Sequence, residues 1–268
     1  MDLSEEATAK ACCADLYQSD IARLILGDTL HPGGLGLTNR LGRLMGLQAS
    51  DWVVDLACGR GVSAMALSRV FHCRVLGVEF GGQALLEAHS AVMEAQIGPQ
   101  AFFVQADAEE PPLKPSSVDA VVCECSLSIF AQKSSAVQQV KKALRPGGKF
   151  GLSDVTVEPG SLPDALNGVV GQILCLSSAL NADGYVHLLQ DAGMILTHQE
   201  DASAELVKLL DDLSGKLGAF SAWQNLSQQD SPFDQGWLGE APALIRQVKQ
   251  LVQAGRLGYW LFVAEKPA

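Results

Sequence analysis

The stretch Val53-Val54-Asp55-Leu56-Ala57-Cys58-Gly59-Arg60-Gly61-Val62-Ser63-Ala64 sets a carboxylate in an apolar run, then a Gly-x-Gly turn, then good helix formers. This order predicts a buried strand feeding a helix through a turn free of side chains. Bare backbone at a helix N-terminus lets a ligand come close and offers it unpaired N–H groups. Alone, Gly59-x-Gly61-x-x-Ala64 fits the dinucleotide fingerprint and says only that the cofactor is nucleotide-like. Asp55 sharpens it. A carboxylate inside the strand sits badly beside a pyrophosphate but well beside an ammonium group, and this points to S-adenosylmethionine.

Two further acidic strand ends fit an adenosine. Val75-Leu76-Gly77-Val78-Glu79 ends in a carboxylate about twenty residues past Gly59, where it can accept both ribose hydroxyls. Phe103-Val104-Gln105-Ala106-Asp107-Ala108 ends in another. Asp107 can take the adenine amino group while the next backbone N–H, that of Ala108, faces a ring nitrogen. A hydride-transfer protein has no need of this second acidic end. The competing readings are a solvated Glu79 and an Asp107 that merely caps a turn.

The elements that must position these residues follow from periodicity. From Trp52 the chain alternates strands, at 52–57, 74–79, 101–105, 118–123 and 148–154, with helices near 61–71, 82–96 and 133–144. That alternation implies an α/β fold with a parallel sheet covered on both faces. Ahead of it, residues 4–17 and the run after Asp20 read as helices, residues 31–36 as a loop, and Leu37 to Leu47 as a third helix. Residues 1–50 therefore read as a helical lid, and residues 51–268 as the main domain with helical additions at about 156–190 and 203–255. Leu162 to Leu180 reads as one amphipathic helix, with Cys175 opposite its apolar stripe. Later come a strand at 194–199, helices near 204–217 and 241–254, a loop over 221–240 and a seventh strand at 257–264.

The 268 residues are 48% hydrophobic, ample for a core, and carry a net charge of -11. Such a surface repels phosphate backbones, which argues against nucleic acid. The acidic start Met1-Asp2-Leu3-Ser4-Glu5-Glu6 lacks the apolar core of a signal peptide, and no apolar run approaches the ~20 residues that span a bilayer. The expectation is a cytoplasmic protein with no membrane partner. Its seven cysteines are then thiols rather than a disulfide framework.

Taken together, Val54 to Gly61, Glu79, Gln105-Ala106-Asp107-Ala108 and Leu144-Arg145-Pro146-Gly147-Gly148-Lys149 resemble the class I S-adenosylmethionine-dependent methyltransferases. The resemblance covers roughly residues 50 to 155. It implies a Rossmann-like, seven-stranded, mostly parallel sheet with an antiparallel last strand, an N-terminal helical lid and extra C-terminal helices. It further implies cofactor contacts at Asp55, Ala57, Gly59, Gly61, Glu79, Phe80, Asp107, Ala108 and Glu124.

A narrower resemblance is to the arsenite methyltransferases, in Asp119 to Phe130, Ser153-Asp154-Val155, Leu162-Pro163 and Leu174 to Leu180. It implies that Cys125 and Cys175 bind trivalent arsenic, since soft thiolates hold a soft metalloid and leave its lone pair free to attack a methyl group. The family's remaining cysteines have no counterpart in the sequence before the first strand. Cys12 or Cys13, on the lid, would supply the third thiolate. Free cysteine is also among the most buried residue types, so packing competes at each position. Cys123 and Cys125, two apart on a strand, point to one face, and either can be core with the other in the cleft. His31 can act as a base, although a loop histidine is more often merely exposed.

The expected function is methyl transfer to a small acceptor, with thiolate-bound trivalent arsenic and a thiol reductant as the first class. The second is O-, N- or C-methylation of a small organic metabolite. An NAD-dependent oxidoreductase and a cofactor-binding regulator are the competing classes.

Overall fold

Val53 and Val75 face one side of their strands, while Val54, Leu56 and Val78 face the other, and all five are fully buried. Strands buried on both faces need helices on both faces, and the two cores reflect this. In the computed structural model, which describes Thr29 and residues 31–95, 100–166, 175–227 and 235–268 (apart from the side chains of residues 165, 220–227 and 235–240), the order is as follows. Helix α1 (Gly34–Met45) precedes β1 (Trp52–Leu56), α2 (Val62–Phe71), β2 (Arg74–Glu79), α3 (Gly82–Ala95) and β3 (Ala101–Gln105). Then come β4 (Val118–Glu124), α4 (Lys133–Ala143), β5 (Leu144–Val157), α5 (Ala182–Asp191), β6 (Ile195–Asp201), α6 (Ser203–Ser227), α7 (Gln235–Gln253) and β7 (Leu257–Glu265).

The seven strands form one sheet in the order β3-β2-β1-β4-β5-β7-β6. β1 to β5 pair in parallel, and β7 runs antiparallel to both of its neighbours, β5 and β6. This is the Rossmann-like sheet expected, with its reversed last strand. One core packs α1, α2, α3, α6 and α7 on the sheet through Leu41, Leu67, Ala88, Leu206 and Ile245. The other packs α4 and α5 through Val137, Val140, Tyr185 and Leu189. The strand order reverses direction between β1 and β4, and α/β sheets bind ligands in the crevice beyond the carboxyl ends of the strands at that point.

Several expectations need correction. The helix read over 162–180 is, where described, a 3-10 turn at Asp164–Leu166 and a turn at 175–178, not one continuous helix. Its apolar spacing serves the core from separate turns, for Leu166, Cys175 and Leu176 are all buried in the same cluster. Of the helical additions read at about 156–190, the described residues show the turn at Asp164–Leu166 and α5, and β5 itself runs on to Val157; residues 167–174 lie outside the described residues. The loop read over 221–240 is shorter than expected: α6 runs to Ser227, and α7 starts at Gln235 and carries Pro242 inside it. Helix α1 starts at Gly34, inside the supposed loop, with Gly33 at φ 76 as its N-cap. The helices read at 4–17 and 21–26, with Cys12 and Cys13, lie outside the described residues. No helix among the described residues is long and apolar enough to cross a membrane.

Gly77 lets β2 pass beneath the turn that follows β1. A Cβ there would lie 2.5 Å from both Cys58 Sγ and Phe103 Cδ1. Gly77→Ala should cost about 1–3 kcal/mol through overpacking, seen as a lower urea midpoint at unchanged slope. An unchanged midpoint would mean that Phe103 and Cys58 yield freely.

Candidate active site at the carboxyl edge of the sheet

The turn after β1 turns sharply. Ala57 (φ 55), Gly59 (φ 53) and Gly61 (φ 72) all adopt left-handed backbone, which is costly for the alanine and easy for the glycines. A Cβ on Gly59 would meet nothing within 4 Å, so open space lies over the turn. A Cβ on Gly61 would strike the Phe103 ring. One glycine therefore makes room for a ligand and the other for the protein.

Glu79, at the end of β2, ties this turn down. Its Oε2 accepts the Gly59 N–H at 2.8 Å and its Oε1 accepts the Gly81 N–H at 2.7 Å. It is buried, and burial pushes its carboxyl pKa up against those N–H groups and that of Phe80. Asp55 is buried more deeply, and its Oδ2 has no hydrogen-bond partner. Burial, then the like charges of Glu124 and Glu79, hold its carboxyl well above the usual range, with the Ala64 N–H offsetting part.

The third acidic end is less enclosed. Asp107 is half-buried, and its side chain accepts the Glu109 N–H at 2.9 Å, so the turn-cap reading holds, without excluding a ligand on the second oxygen. Ala108 is buried and Phe80 is 38% exposed. Glu109 goes inward and accepts the N–H groups of Ala131 and Gln132, capping α4.

Glu124 ends β4, beside Ser153 in the β4–β5 register. Its Oε2 accepts the Thr38 hydroxyl at 2.9 Å and lies 3.6 Å from His31 Nε2. His31 is 4% exposed, against the expectation of an exposed loop histidine, because α1 begins just after it and folds it inward. Ser63 Oγ closes the cluster, 3.3 Å from Thr38 and 3.4 Å from His31.

Past Glu124 the strand geometry ends. Cys125 has φ 52 and donates its N–H to the Ser153 carbonyl at 2.7 Å. The single-face expectation for Cys123 and Cys125 therefore fails: Cys123 is buried in the core under α4 and α5, while Cys125 packs against the opposite core. There it meets Cys175, whose thiol lies 3.6 Å from the Cys125 carbonyl oxygen. The Cys175 thiol and burial push the Cys125 thiol pKa up, with the Tyr259 hydroxyl opposing. The loop after β4 is fixed by Asp154, which accepts the N–H groups of Ser128 and Val155 at 2.8 Å each.

The structure thus brings Asp55, Ala57, Gly59, Gly61, Glu79 and Glu124 to one edge, and Cys125 to Cys175. Among the described residues no group of three or more His, Cys, Asp or Glu side chains is arranged to hold a metal ion. Sequence reasoning missed Thr38, Ser63, Glu109 and Tyr259, since a single hydroxyl or a second acid beside Asp107 carries no spacing signal.

Residues 53–148 match the profile of a family described as a methyltransferase domain. The 27-O-demethylrifamycin SV methyltransferase of Amycolatopsis mediterranei (strain S699) is 27% identical over 179 residues, 65% of this chain and 65% of that protein. The chain thus matches just under two thirds of that relative's length. Among solved structures, the [4+2]-cyclase SpnF superposes with a TM-score of 0.76 at 18% identity, covering 96% of this chain and 95% of that one. The phosphoethanolamine N-methyltransferase 2 of Haemonchus contortus, in complex with S-adenosyl-L-methionine, superposes with a TM-score of 0.77 at 18% identity, covering 96% of this chain and 57% of that one. Both structures share the fold.

Burial raises the Asp154 carboxyl from 3.8 to about 6, against the Ser128 and Val155 N–H groups and the Lys133 cation. The folded protein holds this proton more tightly than the unfolded chain. The resulting stabilisation is complete below about 3.8 and is lost as pH rises through about 6. Relative to Asp154→Asn, the wild type should lose on the order of 3 kcal/mol between pH 4 and 7. Urea titrations at several pH values measure this, and parallel curves for the two proteins would refute it.

Proposed function

We propose that this chain is an S-adenosylmethionine-dependent methyltransferase acting on a small organic acceptor. The observation that carries the reading is Asp55: a fully buried carboxylate with an unpartnered oxygen, next to a glycine turn with open space above it. Such a group calls for a cation with N–H donors, and the α-ammonium of S-adenosylmethionine is one. The turn Ala57-Cys58-Gly59-Arg60-Gly61 would line the amino-acid portion. Glu79 still has lone pairs for ribose hydroxyls beyond the two N–H groups it accepts. Phe80 would lie against the adenosine, and Asp107 with the Ala108 N–H would read the adenine edge. When bound, the cofactor supplies a methyl group on a positively charged sulfur. The chain's own task is to hold the acceptor in line with it and to keep water out, and the acidic residues Asp55 and Glu124 favour a cationic guest there.

The cysteine-bearing stretches leave a finer reading, thiolate-bound trivalent arsenic with a thiol reductant as partner, and the approach of the Cys175 thiol to Cys125 favours it. Its third thiolate, Cys12 or Cys13, lies outside the described residues. Free thiols fit a reducing compartment such as the cytoplasm.

Calorimetry of S-adenosylmethionine binding tests the main reading. Glu79→Ala and Asp55→Asn should each weaken binding by about 1–3 kcal/mol, the cost of leaving charge-assisted hydrogen bonds unmade. No binding to the wild type would end the proposal. Methyl transfer to arsenite in the presence of dithiothreitol, lost on Cys175→Ser, would establish the metalloid reading. Its absence in the wild type would remove it.

A further inference from the structure

We infer that His31, positioned by Glu124, is the proton acceptor for the incoming substrate, and that the substrate is therefore a hydroxyl compound, an alcohol or a phenol. This inference rests on the methyltransferase reading and narrows its acceptor.

His31 has a defined tautomer. Its Nδ1 lies 3.1 Å from the Pro32 carbonyl oxygen, which can only accept, so Nδ1 carries the hydrogen and Nε2 presents a lone pair. Around Nε2 stand Ser63 Oγ and Thr38 Oγ1, each at 3.4 Å, and Glu124 Oε2 at 3.6 Å. The Thr38 hydroxyl is committed to Glu124 at 2.9 Å. A proton arriving on Nε2 would thus create an imidazolium within ion-pair distance of a carboxylate. Among the described residues, His31 is the basic group found within ion-pair distance of Glu124. A histidine serving only to fill the core needs no buried carboxylate on its acceptor nitrogen, and burying one there is costly.

The pair also stands in the right place. Glu124 ends β4 across the switch point from Asp55, close enough for its charge to raise the Asp55 carboxyl. Ser63 belongs to the first turn of α2, directly after the glycine turn. His31 therefore faces the carboxyl edge where methyl transfer is proposed. A metalloid lone pair or a neutral amine attacks a methyl group without prior loss of a proton. A hydroxyl is a poor nucleophile unless its proton leaves as the new bond forms, and a placed base contributes roughly 100- to 10,000-fold. In this step the acceptor oxygen bonds to the methyl carbon, and the carbon–sulfur bond breaks with its electron pair left on the now neutral sulfur. The hydroxyl proton passes to His31 Nε2 and later to water.

Glu124 of β4, Thr38 of α1 and Ser63 of α2 surround this nitrogen, while Asp55 of β1, Ser153 of β5 and Tyr259 of β7 bear on Glu124. In the full chain labelled with 15N-histidine and saturated with S-adenosylhomocysteine, His31→Asn assigns the His31 signals among the five histidines. The neutral ring should show an Nδ1–H tautomer. An Nε2–H tautomer overturns the base assignment whatever the acceptor. With radiolabelled S-adenosylmethionine, transfer should reach at least one of catechol, 4-nitrophenol and benzyl alcohol. His31→Asn should lower kcat by about 100-fold or more while cofactor affinity by calorimetry stays within about threefold. Transfer confined to aniline or to arsenite with dithiothreitol, or hydroxyl transfer undiminished in His31→Asn, overturns the hydroxyl assignment and leaves cofactor binding standing. If no probe is methylated, the imidazole tautomer decides. A wild type that fails to bind the cofactor would fail the underlying reading instead.

Discussion

Glu79 receives the Gly59 N–H through one oxygen and the Gly81 N–H through the other, and so couples the loop after β1 to the loop after β2. Nothing in the backbone of either loop requires the other. Left-handed residues at Ala57, Gly59 and Gly61 make the first loop possible, but a loop of this kind has many alternatives until its orphan N–H groups are claimed. One carboxylate claims one from each side. The crevice is therefore shaped before any ligand arrives, and its shape depends on a charged group that burial disfavours.

That cost is not confined to Glu79. Asp55, Glu79 and Asp154 all have carboxyl pKa values raised first of all by burial, and Glu124 adds a further acidic side chain within interacting distance of Asp55. Backbone N–H groups offset the penalty unevenly: those of Gly59, Gly81 and Phe80 on Glu79, those of Ser128 and Val155 on Asp154, and for Asp55 that of Ala64 alone, with Oδ2 left without a partner. Uncompensated acid in a low-dielectric crevice has two remedies, a cation from outside or a proton. A cationic guest meets the first at Asp55. The second is within reach at Glu124, where an imidazole can carry the proton.

The apolar runs, the glycine turn and the acidic strand ends were legible in the sequence because each is a local pattern whose period or order is set by one element. The antiparallel seventh strand came from the family resemblance and not from periodicity. What sequence could not supply was depth and partnership. His31 sits in a Gly-rich stretch that looks like surface loop, yet α1 starts at Gly34 and carries it inward. The segment after Leu162 has helical spacing, but at its described ends Leu166 and Leu176 reach the core from separate turns, so the apolar count misjudged the element's bounds. The opposite placements of Cys123 and Cys125 turn on one left-handed residue, which alternation along a strand cannot anticipate. Thr38, Ser63 and Tyr259 are ordinary residues in their own elements, and only packing makes them neighbours of the crevice.

β7 lies between β5 and β6 and pairs with both, so the sheet has a gap at its centre-right until residues 257–265 arrive. On a chain made from its N-terminus, β1 to β5 can associate early, while β6 has no strand beside it and waits. The filling strand also carries Tyr259, whose hydroxyl sits 3.0 Å from Ser153 Oγ and bears on the Cys125 thiol. Arrival of residues 257–265 therefore completes two β ladders and brings Tyr259 to the crevice in a single event. A chain stalled before residue 257 exposes the β7-facing edges of β5 and β6 to the quality-control machinery of the cell.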